Sequence, residues 1–285
     1  MNYLCMHHTH GAPSIAKIIP QMMQPIMVVA KKSRNHWVKF SKDIPEWETI
    51  EHPEEMLRDG TPVINWGNRI FDSDDMFKVN SPSAIRNAVN KPHCRILLQK
   101  NGISVPYTTL DPDELEYPYI ARPQTHYAGQ HFHFVCCDMA KEYMPENRDG
   151  WYYSKVFPKT REYRVHVAHN RVLMIHEKTS SNQGELNPRH DSSWEYIGWD
   201  RYNPDMCTMC IDAMNVVNLD YGAIDVMFND NDCVITEINT NPDVSFSPYM
   251  SKKYANYFDW LIRNDFPDRF EPNGEFVFKS AMLEA

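Results

Sequence analysis

The sequence of 285 residues is short of several things, and each shortage removes a class of function. Positive charge is in deficit: 29 Lys and Arg stand against 38 Asp and Glu, for a formal net charge of −9. Proteins that coat nucleic acid or lie on a membrane surface need a net basic field, so neither a membrane nor a bulk nucleic-acid partner is expected. A local basic pocket for phosphates is still allowed. No uninterrupted apolar run approaches the length needed to span a bilayer. The first ten residues, MNYLCMHHTH, lack the basic start and apolar stretch of a secretory signal. A cytoplasmic protein is expected. Seven cysteines form no even framework, which argues against structural disulfides. Internal repeats and low-complexity tracts are missing too. What remains is a chain with 42% apolar and 12% aromatic residues, enough to pack real cores. Its length suits two ordinary domains, or one with an elaborated lobe.

Two patterns suggest zinc and fall short of it. Cys207-x-x-Cys210 has no second Cys pair or His pair nearby. Met206, Cys207, Cys210, Ile211, Met214 and Val217 share one helical stripe, so cysteine as a small buried hydrophobe is the preferred reading. His7, His8 and His10 could bind a metal, but no carboxylate or Cys completes a set of four. A flexible, polar N-terminal stretch is the expectation there.

Residues 26–30 and 61–65 read as short buried strands of an α/β unit, separated by a polar stretch with Pro45 and Pro53. Ser81 followed by Pro82 starts a helix, and a second helix over about 92–100 stops at Asn101-Gly102. A domain boundary is placed near residue 90. YPYIARP (117–123) and HFHFVCC (131–137) form the arms of a hairpin, and 151–157, 161–168 and 171–177 read as further strands. The polar segment 179–205 shows no periodicity, and a loop of that length is expected to be functional or mobile. A helix over 204–218, a strand pair 222–228 and 233–238, and a helix near 249–263 follow. The last carries Tyr254, Tyr257, Phe258, Leu261 and Ile262 on one stripe, with core as its default use and an interface as the alternative.

The chemistry concentrates in YGAIDVMFNDNDCVITEINTNPD, residues 221–243. Strand alternation puts Glu237 and Asn239 on one face. If the turn uses 230–232, Asp225 falls opposite Glu237, with Cβ atoms about 4.5–5.5 Å apart. Opposed acids destabilise a sheet unless a cation neutralises them, and an all-oxygen set suits Mg²⁺. The plain alternative is a hairpin edge kept polar by acids. Against it, both acids sit within apolar strands, where unpaired charge is costly.

With these residues in view, D-x-M…T-E-I-N-T-N-P resembles the metal-binding end of the ATP-grasp superfamily, and the likeness runs from about residue 61 to 250. VNSPSAIRNAVNKPHCRILLQKNGISVPYT is similar to the family's opening segment, which implies that Lys91 touches ATP phosphate. The hairpin YPYIARPQTHYAGQHF resembles the nucleotide lid, with Arg122 in place of the usual lysine and the glycine loop thinned to Gly129. REYRVHV resembles the strand whose arginine contacts the transferring phosphate or acyl intermediate, which puts Arg164 in that role. RP-x-x-H combined with REYRVHV looks like ATP-grasp proteins of bacteriophages, implying a host cytoplasm.

Some of these roles have physical support of their own. Arg122 offers a planar fork to phosphate oxygens, against the alternative of a surface arginine before a proline. Gly129 permits a tight turn, though single glycines in hairpins are common. Glu162 and Arg164 share one strand face and could simply pair; with Lys178 on the next strand they would make a cationic patch facing the metal site. Arg161 and Tyr163 share the other face, and Arg161 is a candidate substrate contact. His126 could reach a γ-phosphate or pack beside Tyr127. Lys155, Val156 and Phe157 stand where the family's adenine-binding hinge lies. Arg189 could hold a substrate carboxylate, the alternative being an exposed loop arginine.

The implied fold is α/β: an N-terminal domain (1–90) and an ATP-grasp module (91–285) whose two α+β lobes, about 91–158 and 159–285, close on ATP. The implied activity is a carboxylate–amine or carboxylate–thiol ligase working through an acyl phosphate, with one or two Mg²⁺ on Asp225, Glu237 and Asn239. Its partners would be a carboxylate substrate and an amine acceptor such as an amino acid, a peptide or a protein terminus. A kinase of the same fold and a non-catalytic ATP-binding protein are the alternatives.

Overall fold

The computed structural model describes residues 2–7, 26–33, 36–41, 48–57, 62–69, 71, 74–124, 132–145, 147–180, 192–196, 203–230, 232–244 and 247–270. Three sheets follow one another along the chain. The first contains β1 (Asn2–His7), β2 (Ile26–Ser33), β3 (His36–Phe40), β4 (Glu48–Ile50), β5 (Val63–Trp66) and β6 (Phe77–Val79), in the order β4-β3-β2-β1-β5-β6. The second contains β7 (Thr108–Thr109), β8 (Tyr119–Pro123), β9 (His133–Val135) and β10 (Trp151–Lys155), in the order β7-β10-β8-β9. The third contains β11 (Arg161–Ala168), β12 (Arg171–Ser180), β13 (Ser192–Tyr196), β14 (Tyr221–Phe228) and β15 (Cys233–Asn239), in the order β13-β12-β11-β14-β15. The α-helices are α1 (Pro53–Leu57), α2 (Pro82–Val89), α3 (Lys91–Lys100), α4 (Asp138–Glu142), α5 (Pro204–Val217) and α6 (Pro248–Arg263). Among the described residues no helix is long and apolar enough to cross a membrane.

The N-terminus departs from its expectation. Residues 2–7 are the strand between β2 and β5, parallel to both, and Leu4, Cys5 and Met6 are fully buried. Leu4 and Met6 pack on one side of the sheet and Cys5 on the other. Three apolar residues mark a strand covered on both faces only once the covering layers are known. His7 ends β1, while His8 and His10 lie outside the described residues. The polar stretch before Pro53 contributes β3 and β4, antiparallel additions beside β2 with Trp37 and Val38 buried. The aperiodic segment 179–205 also holds structure: β12 runs to Ser180, and β13 pairs antiparallel with it. An edge strand needs only backbone hydrogen bonds, so five residues without an apolar alternation can form one.

The local signals hold. Ser81 Oγ accepts from the Ala84 N–H at 3.2 Å, with Pro82 opening α2. Gly102 follows Asn101 at the end of α3 with φ +76°, a left-handed conformation that glycine adopts without a Cβ penalty. Helices α2, α3 and α5 cover one face of the third sheet, packing Ile85, Leu98, Cys207, Cys210 and Met214 against Val165, Val167, Ile224 and Ile235. Burial pushes the Cys210 thiol well above its ordinary pKa, as expected for cysteine used as a hydrophobe. The tyrosine stripe of α6 is core. Tyr254, Tyr257, Phe258 and Leu261 lie between Leu4, Met6 and Trp66 of the first sheet and Ala168, Met174 and Tyr221 of the third. The Trp66 ring stands 5.1 Å from Tyr254 and 5.9 Å from Phe258.

Asn80 ties the end of β6 to the start of β14. Its φ is +55°, a left-handed conformation that asparagine tolerates better than most residues. Its Oδ1 accepts from the N–H groups of Asp220 (2.8 Å) and Tyr221 (3.2 Å), and its Nδ2 donates to the Tyr221 carbonyl at 2.9 Å. Replacing Asn80 by Ala removes all three bonds and keeps the unfavourable φ. A loss of about 2–4 kcal/mol is expected, read as a lower urea midpoint with unchanged slope.

Candidate active site

One face of the third sheet grades from core to cleft, because alternate residues on adjacent strands line up across it. At one end Ala168, Met174 and Tyr221 lie in the core with α6. Next along the same rows come His166, His176, Arg164 and Asp225, and then Glu162, Lys178, Met227 and Glu237 at the open end. Facing that end are Ile120 and Arg122 of β8, Ser154 of β10 and Phe132. Lys91 and Arg95 come from α3, Lys155 ends β10, and the connection after it supplies Val156, Phe157 and Lys159. Together they enclose a cleft with about 970 Å³ of atom-free space, part of it open to solvent.

Asp225 and Glu237 are opposed across β14 and β15. The pairing is reached by an unexpected route. Phe228 pairs with Cys233, so the turn takes four residues, 229–232, and not three. A bulge restores the register: Val226 pairs with Ile235 while Asp225 pairs with Glu237, leaving Thr236 as the extra residue. Arg95 Nε donates to the Thr236 carbonyl at 2.9 Å, and Thr236 Oγ1 donates to the Asp225 carbonyl at 3.1 Å. The bulge is thus pinned from both sides.

Both acids are met by cations. Arg164 grips Asp225 with two bonds, Nε to Oδ1 at 2.7 Å and Nη2 to Oδ2 at 2.8 Å. Lys91 Nζ lies 3.0 Å from Glu237 Oε2. Glu162 does not pair with Arg164; it bridges Lys159 (2.7 Å) and Lys178 (3.1 Å). The guanidinium of Arg122 lies 4.7 Å from the centre of the Phe132 ring, and its buried Nε has no hydrogen-bond partner among the described residues. Burial lowers the pKa of Arg122 from its ordinary value, the signature of a cation held out of water. Lining the cleft are six cations (Lys91, Arg95, Arg122, Lys155, Lys159, Lys178) against three acids (Glu162, Asp225, Glu237). A chain of net charge −9 therefore carries a local positive excess in this cleft.

The sequence-predicted residues divide as follows. Lys91, Arg122, Lys155, Val156, Phe157, Lys178, Asp225 and Glu237 line the cleft together. Arg164 stands behind Asp225, and Asn239 is opposite Ala223, two residue pairs further toward the core on the same face. Arg161 is on the opposite face, exposed, 4.0 Å from Glu177 and 3.4 Å from the Tyr163 hydroxyl. His126, Gly129 and Arg189 lie outside the described residues. Sequence reasoning passed over Arg95, Lys159 and Phe132. Arg95 had a signal, since it follows Lys91 by four residues and shares its helix face. Lys159 and Phe132 lie in connections and had none.

No protein-family model matches the sequence, and no curated protein does either. Solved structures do match. The D-alanine–D-alanine ligase of Bacillus anthracis complexed with ATP aligns with TM-score 0.61 at 12% identity, covering 92% of this chain and 94% of that one. A RiPP-associated ATP-grasp ligase of Chryseobacterium gregarium, in complex with ADP and a leader and core peptide, aligns with TM-score 0.61 at 17% identity, over 94% and 98%. The N5-carboxyaminoimidazole ribonucleotide synthetase of Thermotoga maritima gives 0.60 at 13% identity, over 86% and 70%.

The chain has the ATP-grasp fold. Within it, the second and third sheets are the two walls of the cleft, and α3 closes one side. Behind the ATP-grasp cleft, His166 Nδ1 lies 2.9 Å from the Tyr254 hydroxyl, and the His166 and His176 rings are 5.4 Å apart. Burial, and then the Arg164 charge, pushes His176 down from 6.5 to about 4; burial also holds His166 well below its ordinary value. Both are neutral in the fold, while the unfolded chain takes up protons as the pH drops below 6.5. Their contribution is therefore intact above 6.5 and is lost as the pH falls toward 4. The urea midpoint is expected to decline across that window, and less steeply in His176→Gln.

Proposed function

We propose that this chain is an ATP-dependent ligase that joins a carboxylate to an amine, releasing ADP and phosphate. The observation that carries the reading is the cleft itself, where an opposed pair of acids shares the lining with six cations. A triphosphate needs fixed positive charge along its length, and the acids suit the divalent cation that accompanies it. Relatives in fold are complexed with ATP or ADP, and one holds a leader and core peptide, which supports a peptide or amino-acid substrate here.

The donors present fit Mg²⁺. Asp225 and Glu237 are hard oxygen ligands on one patch, and the side-chain nitrogen of Asn239 is buried with no hydrogen-bond partner among the described residues. Amide oxygen and nitrogen are interchangeable by rotation, so Asn239 could present oxygen to the same patch. Among the described residues no three His, Cys, Asp or Glu side chains converge as a metal set, so the proposed trio depends on that amide. When bound there, the ion would neutralise phosphate oxygens in the transfer.

The chain's own residues divide the work. Lys91 and Arg122 hold phosphate oxygens from two sides of the cleft, with Lys178 on the sheet wall. Lys155, Val156 and Phe157 offer the hinge backbone to the base. The substrate carboxylate oxygen attacks the γ-phosphorus, the bond to the β-phosphate oxygen breaks, and ADP leaves. An amine then attacks the acyl carbon, phosphate departs, and the amine gives up a proton. Arg164 steadies Asp225 and the charge that develops beside it. Acyl phosphates hydrolyse, so the walls must close and exclude water. The division near residue 90 into an N-terminal domain and an ATP-grasp module, and a cytoplasmic location, belong to this reading.

The test is Mg²⁺-dependent ADP release from ATP in the presence of a bacterial extract, followed by fractionation and weighing of the product. An amide product supports the ligase. A phosphate adduct would make the chain a kinase, and ATP binding without ADP release would make it a non-catalytic binder.

A further inference from the structure

Cys136 and Cys137 take no part in the cleft. β9 ends at Val135 and α4 begins at Asp138, so the two cysteines are the junction between them. Cys136 is exposed, Cys137 is half-buried, and neither is in a disulfide. Their Sγ atoms are 3.8 Å apart. Sequence adjacency does not by itself bring this about, because successive side chains of an extended chain point to opposite sides. Cys137 caps α4 with extended backbone (φ −167°, ψ 173°), and its thiol makes no capping hydrogen bond. The thiol faces its neighbour instead, and that contact raises the Cys136 pKa.

The spacing has a chemical meaning. A tetrahedral centre with bonds to sulfur of about 2.3 Å holds two sulfurs ~3.8 Å apart. A disulfide would require closure to about 2.05 Å between residues whose Cα atoms are nearer than the usual lower bound of about 4.4 Å. The geometry therefore favours chelation over oxidation. Among the described residues no third His, Cys, Asp or Glu completes a metal set, so a bound centre would bring its remaining ligands with it. The other five cysteines do not compete. Cys5, Cys94, Cys207 and Cys210 are buried, with burial pushing Cys5 and Cys94 up to about 12, and Cys233 is half-buried and raised by the same cause.

We propose that Cys136 and Cys137 form a vicinal dithiol site that chelates one soft, thiophilic metal or metalloid centre carrying two exchangeable ligands. Phenylarsine oxide is the probe. Two S–H bonds and the arsenic–oxygen bond break, two As–S bonds form, and the oxygen leaves as water with both protons; arsenic stays trivalent. The full chain, treated with one equivalent of the probe, is weighed intact after a wash with excess 2-mercaptoethanol and again after 2,3-dimercaptopropanol. One adduct per chain should survive the monothiol and be removed by the dithiol. Cys136→Ser and Cys137→Ser should each lower retention by at least about a hundredfold, because the second bond is intramolecular; Cys233→Ser should retain the adduct. Equal retention in either single variant at the junction, or stripping of the wild type by the monothiol, overturns the site.

Discussion

Mg²⁺-dependent ADP release is expected to fall by at least about a hundredfold when Glu237 is replaced by Gln, on the scale of removing one group that stabilises transition-state charge. The substitution keeps the size and one oxygen of the side chain while deleting its charge. Glu237 is a third exposed and pairs with Lys91 at 3.0 Å, so the variant should lose no more than about 1 kcal/mol of stability. Activity and folding are thereby separated: a large loss of ADP release with a near-native urea midpoint is expected. Undiminished release by Glu237→Gln would sink the metal assignment and the role given to the opposed acids.

The second large effect is on folding. Arg164 and Asp225 are mostly withdrawn from solvent, with side chains 15% and 12% exposed, and hold each other by two short bonds. Burial alone would weaken the Arg164 charge, but the Asp225 carboxylate outweighs it and leaves the guanidinium more basic than usual. Arg164→Leu leaves the buried Asp225 carboxylate without its two-bond partner. Breaking a buried pair from one side costs about 3–5 kcal/mol, whereas replacing both partners by apolar residues is often nearly neutral. The urea midpoint should therefore drop sharply in Arg164→Leu and recover in Arg164→Leu/Asp225→Leu, while both variants lose ADP release. If the single variant is as stable as the wild type, the pair is not the buried anchor of this wall.

Local features were legible because their causes lie within a few residues. Ser81 and Pro82 start a helix, Asn101 and Gly102 end one, and Cys207 and Cys210 fall on an apolar stripe, each by the sterics and hydrogen bonds of near neighbours. The opposition of Asp225 and Glu237 was legible for the same reason, since a short turn joins their strands. Even there the opposition depends on a bulge in place of a three-residue loop, and that bulge at Thr236 is held by Arg95, a residue 141 positions away. Partner choice was not legible. Glu162 and Arg164 are neighbours on one face, yet two residues along a strand are farther apart than a pair directly across it. Strand order puts Asp225 across from Arg164 and lets Glu162 turn to Lys159 and Lys178.

What the sequence determined by itself is the set of elements with strong local signals, the buried state of its helical cysteines and the chemistry available at residues 221–243. Only the tertiary structure decided that residues 2–7 are a central strand, that α6 is shared between two sheets, and that six cations from α3, β8, β10, β12 and the connection after β10 line one cleft with three acids. Those outcomes depend on which layers cover a strand and which strands lie side by side. A charge in a sequence is known by its type, but its energy depends on distance and burial, and both are set by residues far away in the chain.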